Sequence, residues 1–267
     1  MLHRLDAELV RRKLARSREA AQELIQSGLI KVDGFIADKP ARQVQESASI
    51  VVVTEQSPWV SRGAYKLLGA LEAFHSQGLT LETKNVLDAG ASTGGFTQVA
   101  LKAGARRVLA VDVGYGQLAW ELRQDTRVEV LERFNIRYLT PAEVPFSIQA
   151  VVADLSFISL KTVLPAIVAC IDDAADLVLM VKPQFEVGRE FVGEGVVTDP
   201  ELRKSSVLGV IDAAQSLNCG LQQVAASPLP GPSGNVEYFL WMKKGSPAKN
   251  AEECVQQVCQ AVMEGPQ

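Results

Sequence analysis

Two rhythms of apolar residues run along this chain. From residue 85 onward, short apolar runs recur: NVLDAG (85–90), RVLAVDVG (107–114), VEVL (128–131), AVVADLS (150–156), DLVLMVKP (176–183), LQQVAASPL (221–229) and VEYFLWMKK (236–244). Between them lie stretches with apolar positions at helical spacing, TQVALKAG, LAWELRQD, LKTVLPAIVACI and PELRKSSVLGVIDAAQSL. Apolar runs without alternation predict strands covered on both faces, so the alternation of strand and helix predicts an α/β fold with a mostly parallel sheet. The last two runs stand too close for a helical crossover, which makes them antiparallel neighbours. Ahead of this block, SRGAYKLLGALEAF places Leu67, Leu68, Leu71 and Phe74 on one side of a helix.

The first 57 residues follow a different pattern. Leu5, Leu9 and Leu14 approximate a helical stripe, and Ser17 is placed to cap a second helix carrying Ala20, Ala21, Leu24 and Ile25. Gly28 ends that helix. Asp33-Gly34 between β-prone residues predicts a two-residue hairpin turn, and Ile50–Val53 a short strand. The expected organisation is a small α+β unit over 1–57, a linker over 58–62 marked by Pro58, a large α/β body over 63–246, and a C-terminal helix or tail over 247–267.

Composition narrows the function classes. Cys170, Cys219, Cys254 and Cys259 form no CxxC pair, and His3 and His75 are the only histidines, so zinc sites and histidine-based nucleophile triads lack material. Reduced, mostly buried thiols are expected. No apolar run approaches the roughly 18 residues of a membrane span. The N-terminal stretch MLHRLDAELVRRKLARSR carries charges throughout rather than an apolar signal core, and a cytoplasmic location is the expectation. Net charge is −4, yet residues 1–45 hold nine basic and six acidic side chains, a balance of +3 that leaves −7 for the remainder. A basic head on an acidic body assigns any polyanion to the head.

Three stretches carry chemistry. LDAGASTGGFT (87–97) reads as a strand, a small-residue turn and a helix opening at about Gly94, a geometry that brings backbone N–H groups close to a ligand. It lacks the GK[ST] of a phosphate loop. One strand later Asp112 stands where an acid accepts both hydroxyls of a ribose. Together these imply a nucleoside-containing cofactor, and the sparse glycine pattern fits S-adenosylmethionine better than a dinucleotide. In DLVLMVKPQFE (176–186) an ammonium, Lys182, ends a fully apolar strand at the sheet edge where open α/β folds form their ligand crevice.

In chain order, SRGAYKL, LDAGASTGGFT, ADLSF, VKPQFE and NVEYFL resemble the RrmJ/FtsJ class of ribose 2′-O-methyltransferases, and in particular the TlyA family, also called hemolysin A. The likeness covers nearly the whole chain. The head resembles the RNA-binding domain named after the fourth protein of the small ribosomal subunit, and this pairing of head and body is characteristic of TlyA-like proteins. The resemblance implies a Rossmann-like, seven-stranded class I methyltransferase sheet with a small N-terminal α+β RNA-binding domain. It implies S-adenosylmethionine as cofactor and ribosomal RNA or ribosomal subunits as partner, with cytidine as target. By matching motifs it implies a catalytic set of Lys66, Asp154, Lys182 and Glu237. Around the cofactor it places Asp88, Gly90, Ser92, Gly94, Gly95, Phe96, Asp112, Asn135 and Asp154. Chemistry agrees with the set, because methyl transfer to a hydroxyl needs an aligned oxygen and a cation to steady it as its proton leaves.

For RNA the expected residues are Arg4, Lys13, Arg16, Ser17, Arg18, Gln22, Lys31 and Lys39, gripping phosphates of a structured RNA. Three rival functions stand beside this reading, and only the first is set aside at this level. HRLD (3–6) also occurs around the catalytic aspartate of pseudouridine synthases, but without the TSG that follows there. The remaining two rivals are a non-catalytic RNA-binding assembly factor and a pore-forming cytolysin.

Overall fold

The computed structural model describes residues 2–26, 28–53, 57–188, 191–193, 195–231 and 234–265. The chain divides into two compact units, Met1–Pro58 and Trp59–Gln267.

In the first unit β1 (Leu2–Arg4) leads into α1 (Leu5–Arg11), followed by α2 (Arg18–Gln26), β2 (Ile30–Val32), β3 (Phe35–Ile36), β4 (Gln43–Gln45) and β5 (Ile50–Val52). Strands β1 and β4 pair antiparallel, while β3, β2 and β5 form a second small sheet. The Asp33-Gly34 turn is as expected: both residues have positive φ, 51° and 87°, and join Val32 to Phe35. Ser17 Oγ accepts from Ala20 N at the start of α2 (3.2 Å). The helical stripe is corrected, however. Lys13, at φ 59°, turns the chain out of α1, and Leu14 reaches the core from beyond the helix, its N–H bonded to Leu9 O (2.8 Å). Strands β1 and β4 escaped the pattern because three residues are too few to show alternation. Leu5, Leu9, Ala21, Ile25, Ile30 and Val32 form the core of this unit.

The second unit opens with α3 (Gly63–His75) and continues as β6 (Asn85–Ala89), α4 (Gly95–Lys102), β7 (Arg107–Val111), α5 (Trp120–Arg123), β8 (Val128–Leu131), β9 (Ala150–Ala153), α6 (Leu160–Ala169), β10 (Asp176–Val181), α7 (Pro183–Glu186), α8 (Pro200–Ser216), β11 (Cys219–Ala226), β12 (Tyr238–Lys244) and α9 (Ala251–Glu264). All seven strand candidates join one sheet in the order β11-β12-β10-β9-β6-β7-β8. Strands β6 to β10 run parallel; β12 is antiparallel to both β10 and β11. Each strand feeds two cores because successive side chains point to opposite faces. Leu177, Leu179 and Val181 pack with α6, α8 and α9, whereas Val178 and Met180 pack with α3 and α4. The α5 segment spans only four residues, shorter than its apolar pattern predicts.

Residues 59–62, expected as a linker, belong with the body. Trp59 and Val60 pack against the α3/α4 core, and Val60 N donates to Gln98 Oε1 (2.8 Å). At the other end α9 is an integral helix: Cys254, Val258 and Ala261 are buried in the α8-side core. The chain passes from β6 outward through β7 to β8, then returns to β9 on the other side of β6. That reversal opens a crevice beyond the carboxyl ends of β6 and β9.

Candidate active site

The crevice floor is the turn after β6. Gly90, Ser92 and Gly94 have φ of 91°, 48° and 98°, which folds the chain back sharply into α4. At Gly90 a Cβ would lie 2.7 Å from the Asp154 carbonyl oxygen, so only glycine fits this crossing of β6 and β9. Two adjoining cavities share Gly90, Ser92, Asp154 and Ser156. The first, about 500 Å³, is walled by Val113, Phe134, Ile136 and Ile158 with Asp112 and Asn135 at its polar positions. The second, about 450 Å³, is lined by Ser61, Gly95, Phe96, Lys66, Asp154 and Lys182. Asp112 accepts Ser92 N (2.8 Å) on Oδ2 and Gly114 N (2.7 Å) on Oδ1. Each oxygen keeps a lone pair for a further donor, as a ribose diol requires.

The four charged residues matched by motif meet here as two ion pairs. Lys182 Nζ lies 2.6 Å from Asp154 Oδ1 and donates to Ser156 Oγ (2.9 Å). Lys66 Nζ, on α3, pairs with Glu237 Oε2 at 2.5 Å, just before β12. Burial extends past the apolar strand β10 to its terminal ammonium. Lys182 is 8% exposed, Lys66 7% and Glu237 1%. An unpaired ammonium at that depth costs several kcal/mol, and the carboxylates and the serine hydroxyl offset the cost. Pro183, whose missing N–H is no loss at a first helical position, begins α7 directly after Lys182. The second oxygen of Glu237 and Oδ1 of Asp154 are buried with no aligned hydrogen-bond donor, so each retains acceptor capacity.

Comparison with known proteins decides what this arrangement belongs to. The model of the FtsJ-like methyltransferases matches residues 59–244, and that of the S4 domain matches residues 3–50. The chain belongs to the FtsJ-like methyltransferase family. It is 56% identical to the 16S/23S rRNA (cytidine-2′-O)-methyltransferase TlyA of Mycobacterium tuberculosis, over 98% of both chains. It is 36% identical to Hemolysin A of Brachyspira hyodysenteriae over 88% of this chain and 98% of that one. A solved structure from Streptococcus thermophilus that also carries the hemolysin name superposes with a TM-score of 0.76 at 35% identity, covering 98% of this chain and 96% of the other. Among the described residues no helix is long and apolar enough to cross a membrane.

Within this FtsJ-like body two expected cofactor contacts stand elsewhere. Asp88 is fully buried beneath the turn, where its Oδ2 accepts the Thr97 hydroxyl (2.6 Å) and burial raises its pKa to about 7. Gly94 faces α5, and a Cβ on it would strike Leu122 and Leu118. Both shape the turn rather than line the crevice. Gly90, Ser92, Gly95, Phe96, Asp112, Asn135 and Asp154 do line it.

In the S4 head, Arg4, Lys13, Arg16, Arg18 and Lys39 are exposed or half-buried at the surface, as are Gln22 and Lys31. Three of the eight expected RNA contacts are tied to one acid: Arg4, Arg18 and Gln22 all donate to Asp6. Ser17 is half-buried and caps α2, its Oγ accepting from Ala20 N.

Sequence reasoning missed Phe157 and its surroundings. This residue sits at φ 64°, a conformation costly for a bulky side chain, with 90% of its surface exposed. Its ring lies 5.2 Å from that of Phe185. Both border a third cavity of about 360 Å³, whose wall also carries Ser156, Lys182, Asn235 and Glu237. Asn235 holds the wall by accepting from Val197 N (3.0 Å) and donating to Gly195 O (2.8 Å). Glu186 fastens the Phe157 loop from behind, accepting from Ser159 Oγ (2.5 Å) and Leu160 N (2.6 Å). The signal was present in ADLSF and VKPQFE, where two phenylalanines follow charged residues rather than sit in apolar runs.

Proposed function

We propose that this protein transfers a methyl group from S-adenosylmethionine to the ribose 2′-hydroxyl of cytidines in ribosomal RNA, of both the small and the large subunit, in the cytoplasm. The single observation carrying the reading is the Lys182–Asp154 pair: both residues line the cofactor-sized crevice, and Lys182 also lines the cavity beside Phe157. The relative at 56% identity bears this activity in its name.

The residues present fit the cofactor. Asp112 and the apolar walls around Asn135 suit a nucleoside, and the Gly90 crossing leaves room that any side chain would fill. When bound, S-adenosylmethionine supplies an electrophilic methyl group on a sulfonium. The chain's own residues do the rest. Lys182 has three N–H groups; one goes to Ser156, one faces Asp154, and the third is left for the attacking oxygen. That ammonium steadies the oxygen as negative charge grows on it, and the adjacent Asp154 carboxylate takes the proton. Lys66, fixed by Glu237, adds a second cation and leaves Glu237 Oε1 as an acceptor for a sugar hydroxyl. Phe157 and Phe185 offer faces on which the target base stacks.

The test is to incubate the purified protein with ribosomal subunits and S-adenosylmethionine and to analyse nucleosides by mass. A new 2′-O-methylcytidine is expected. No added ribose methyl group on either subunit, with cofactor binding intact, overturns the reading in favour of a non-catalytic RNA-binding factor.

A further inference from the structure

A fully buried carboxylate in the head does more than hold the fold. Asp6 stands in the first turn of α1 with none of its surface exposed. Its Oδ1 accepts from Arg4 Nε (3.1 Å) and Ala7 N (2.8 Å), and its Oδ2 from Arg4 Nη2 (2.9 Å), Arg18 Nη2 (3.1 Å) and Gln22 Nε2 (3.2 Å). Three elements, β1, α1 and α2, thus converge on one anion. The Arg4 bond above all keeps Asp6 ionised well below the usual carboxylate range.

What the arginines have left is the telling part. Arg4 and Arg18 remain 44% and 54% exposed, and most of their N–H groups are uncommitted. The neighbouring buried acid differs in one of its two partners. Glu8 holds Arg11, which stays half-exposed, and Arg12, which also donates to Ala48 O and Glu46 O, so that the Arg12 guanidinium is consumed in closing the fold. A buried charge is a poor stabiliser compared with apolar packing, and at Asp6 the cations it fixes are pointed outward and left open.

We infer that Asp6 is a positioning residue for RNA: it locks the planar forks of Arg4 and Arg18 at a set separation and angle, so that the head grips two phosphates of a structured RNA in one geometry. Guanidinium forks recognise phosphate bidentately, and fixing them beforehand removes the ordering cost of binding. Asp6 therefore favours the ribosomal target over RNA of other shapes. The inference rests on the proposed binding of ribosomal RNA by the head.

Charge counting and positioning predict opposite outcomes for Asp6→Asn. The substitution adds one positive charge to the basic face, so attraction alone makes every RNA bind more tightly. Positioning predicts instead that the full-length variant binds ribosomal subunits about tenfold more weakly and methylates them with a raised KM and an unchanged kcat. Its binding to a plain duplex RNA of unrelated sequence stays equal or becomes tighter. Equal or tighter binding of subunits by Asp6→Asn overturns the inference. Should that variant lose the fold of the head, as amide hydrogen exchange reports, Arg18→Lys decides. It keeps charge and helix but loses the fork, and a several-fold loss on subunits without loss on duplex supports positioning, whereas wild-type binding refutes it. If the wild-type protein itself neither binds nor methylates subunits, the functional reading fails instead.

Discussion

The head and the body bury opposite charges for opposite purposes. In the head the hidden groups are acids, Asp6 and Glu8, and three of the arginines they hold, Arg4, Arg11 and Arg18, stay at the surface. In the body the hidden groups at the crevice include the cations themselves, Lys66 and Lys182, closed in by Glu237 and Asp154. Under the proposed function, the difference follows from the ligand each meets. A polyanion is met across a broad, solvated face, where cations need only be oriented. A single hydroxyl oxygen is met in a confined cavity, where a cation acts strongly because water is excluded.

The largest effect should come from breaking the body's arrangement. Lys182→Ala should lower methyl transfer by about 10³-fold, the scale of losing a key electrostatic or proton-handling group. Calorimetry should show cofactor binding retained, and near-normal turnover would contradict the role given to this lysine. Next in size, Phe157→Ala should raise KM for ribosomal subunits by about tenfold to a hundredfold, the worth of one base stacked on an aromatic ring, leaving cofactor affinity unchanged. On the head side, replacing Arg4 and Arg18 together with alanine should flatten the log–log salt dependence of RNA binding by about 2, one for each phosphate that is no longer neutralised. Titration at several salt concentrations measures this, and an unchanged slope would remove both arginines from the interface.

The smallest expected effect, a few degrees in melting midpoint, concerns pH and has opposite signs in the two regions. Asp6 and Glu8 have folded pKa values held below their ordinary 3.8 and 4.5, first of all by hydrogen bonds from Arg4 and Arg11. Their contribution is present above about pH 4 and lost as pH falls further. Asp88 is the reverse: burial lifts it to about 7, so the folded body binds its proton more tightly than the unfolded chain does. Stability should therefore decline as pH rises from about 4 to 7 and level off beyond. Hydrogen exchange followed separately in each unit distinguishes the two trends, and Asp88→Asn should abolish the decline in the body.

Much of the body was legible without coordinates. Seven apolar-rich runs mark the seven strands, most clearly in β9 and β10, which are buried throughout and therefore have almost no polar side to show. The glycine turn after β6 was legible because left-handed backbone leaves few residues a choice. In the head the hairpin was readable from Asp33-Gly34, whereas β1 and β4 were too short to print a period.

Residue type and spacing alone thus determined the α/β sheet, its antiparallel last pair and the place of the glycine turn after β6, and the motifs supplied the four charged candidates. Only the tertiary structure decided how those four pair, since Lys66 and Glu237 lie 171 positions apart along the chain. It also decided that Asp88 and Gly94 shape the turn from outside the crevice, that Phe157 stands exposed at the cavity lip, and that Asp6 gathers Arg4, Arg18 and Gln22. The physical reason is common to all of these. Periodicity records which face of an element is buried, but the partner of a buried charge is set by where separate elements meet, and that distance is not written in local spacing.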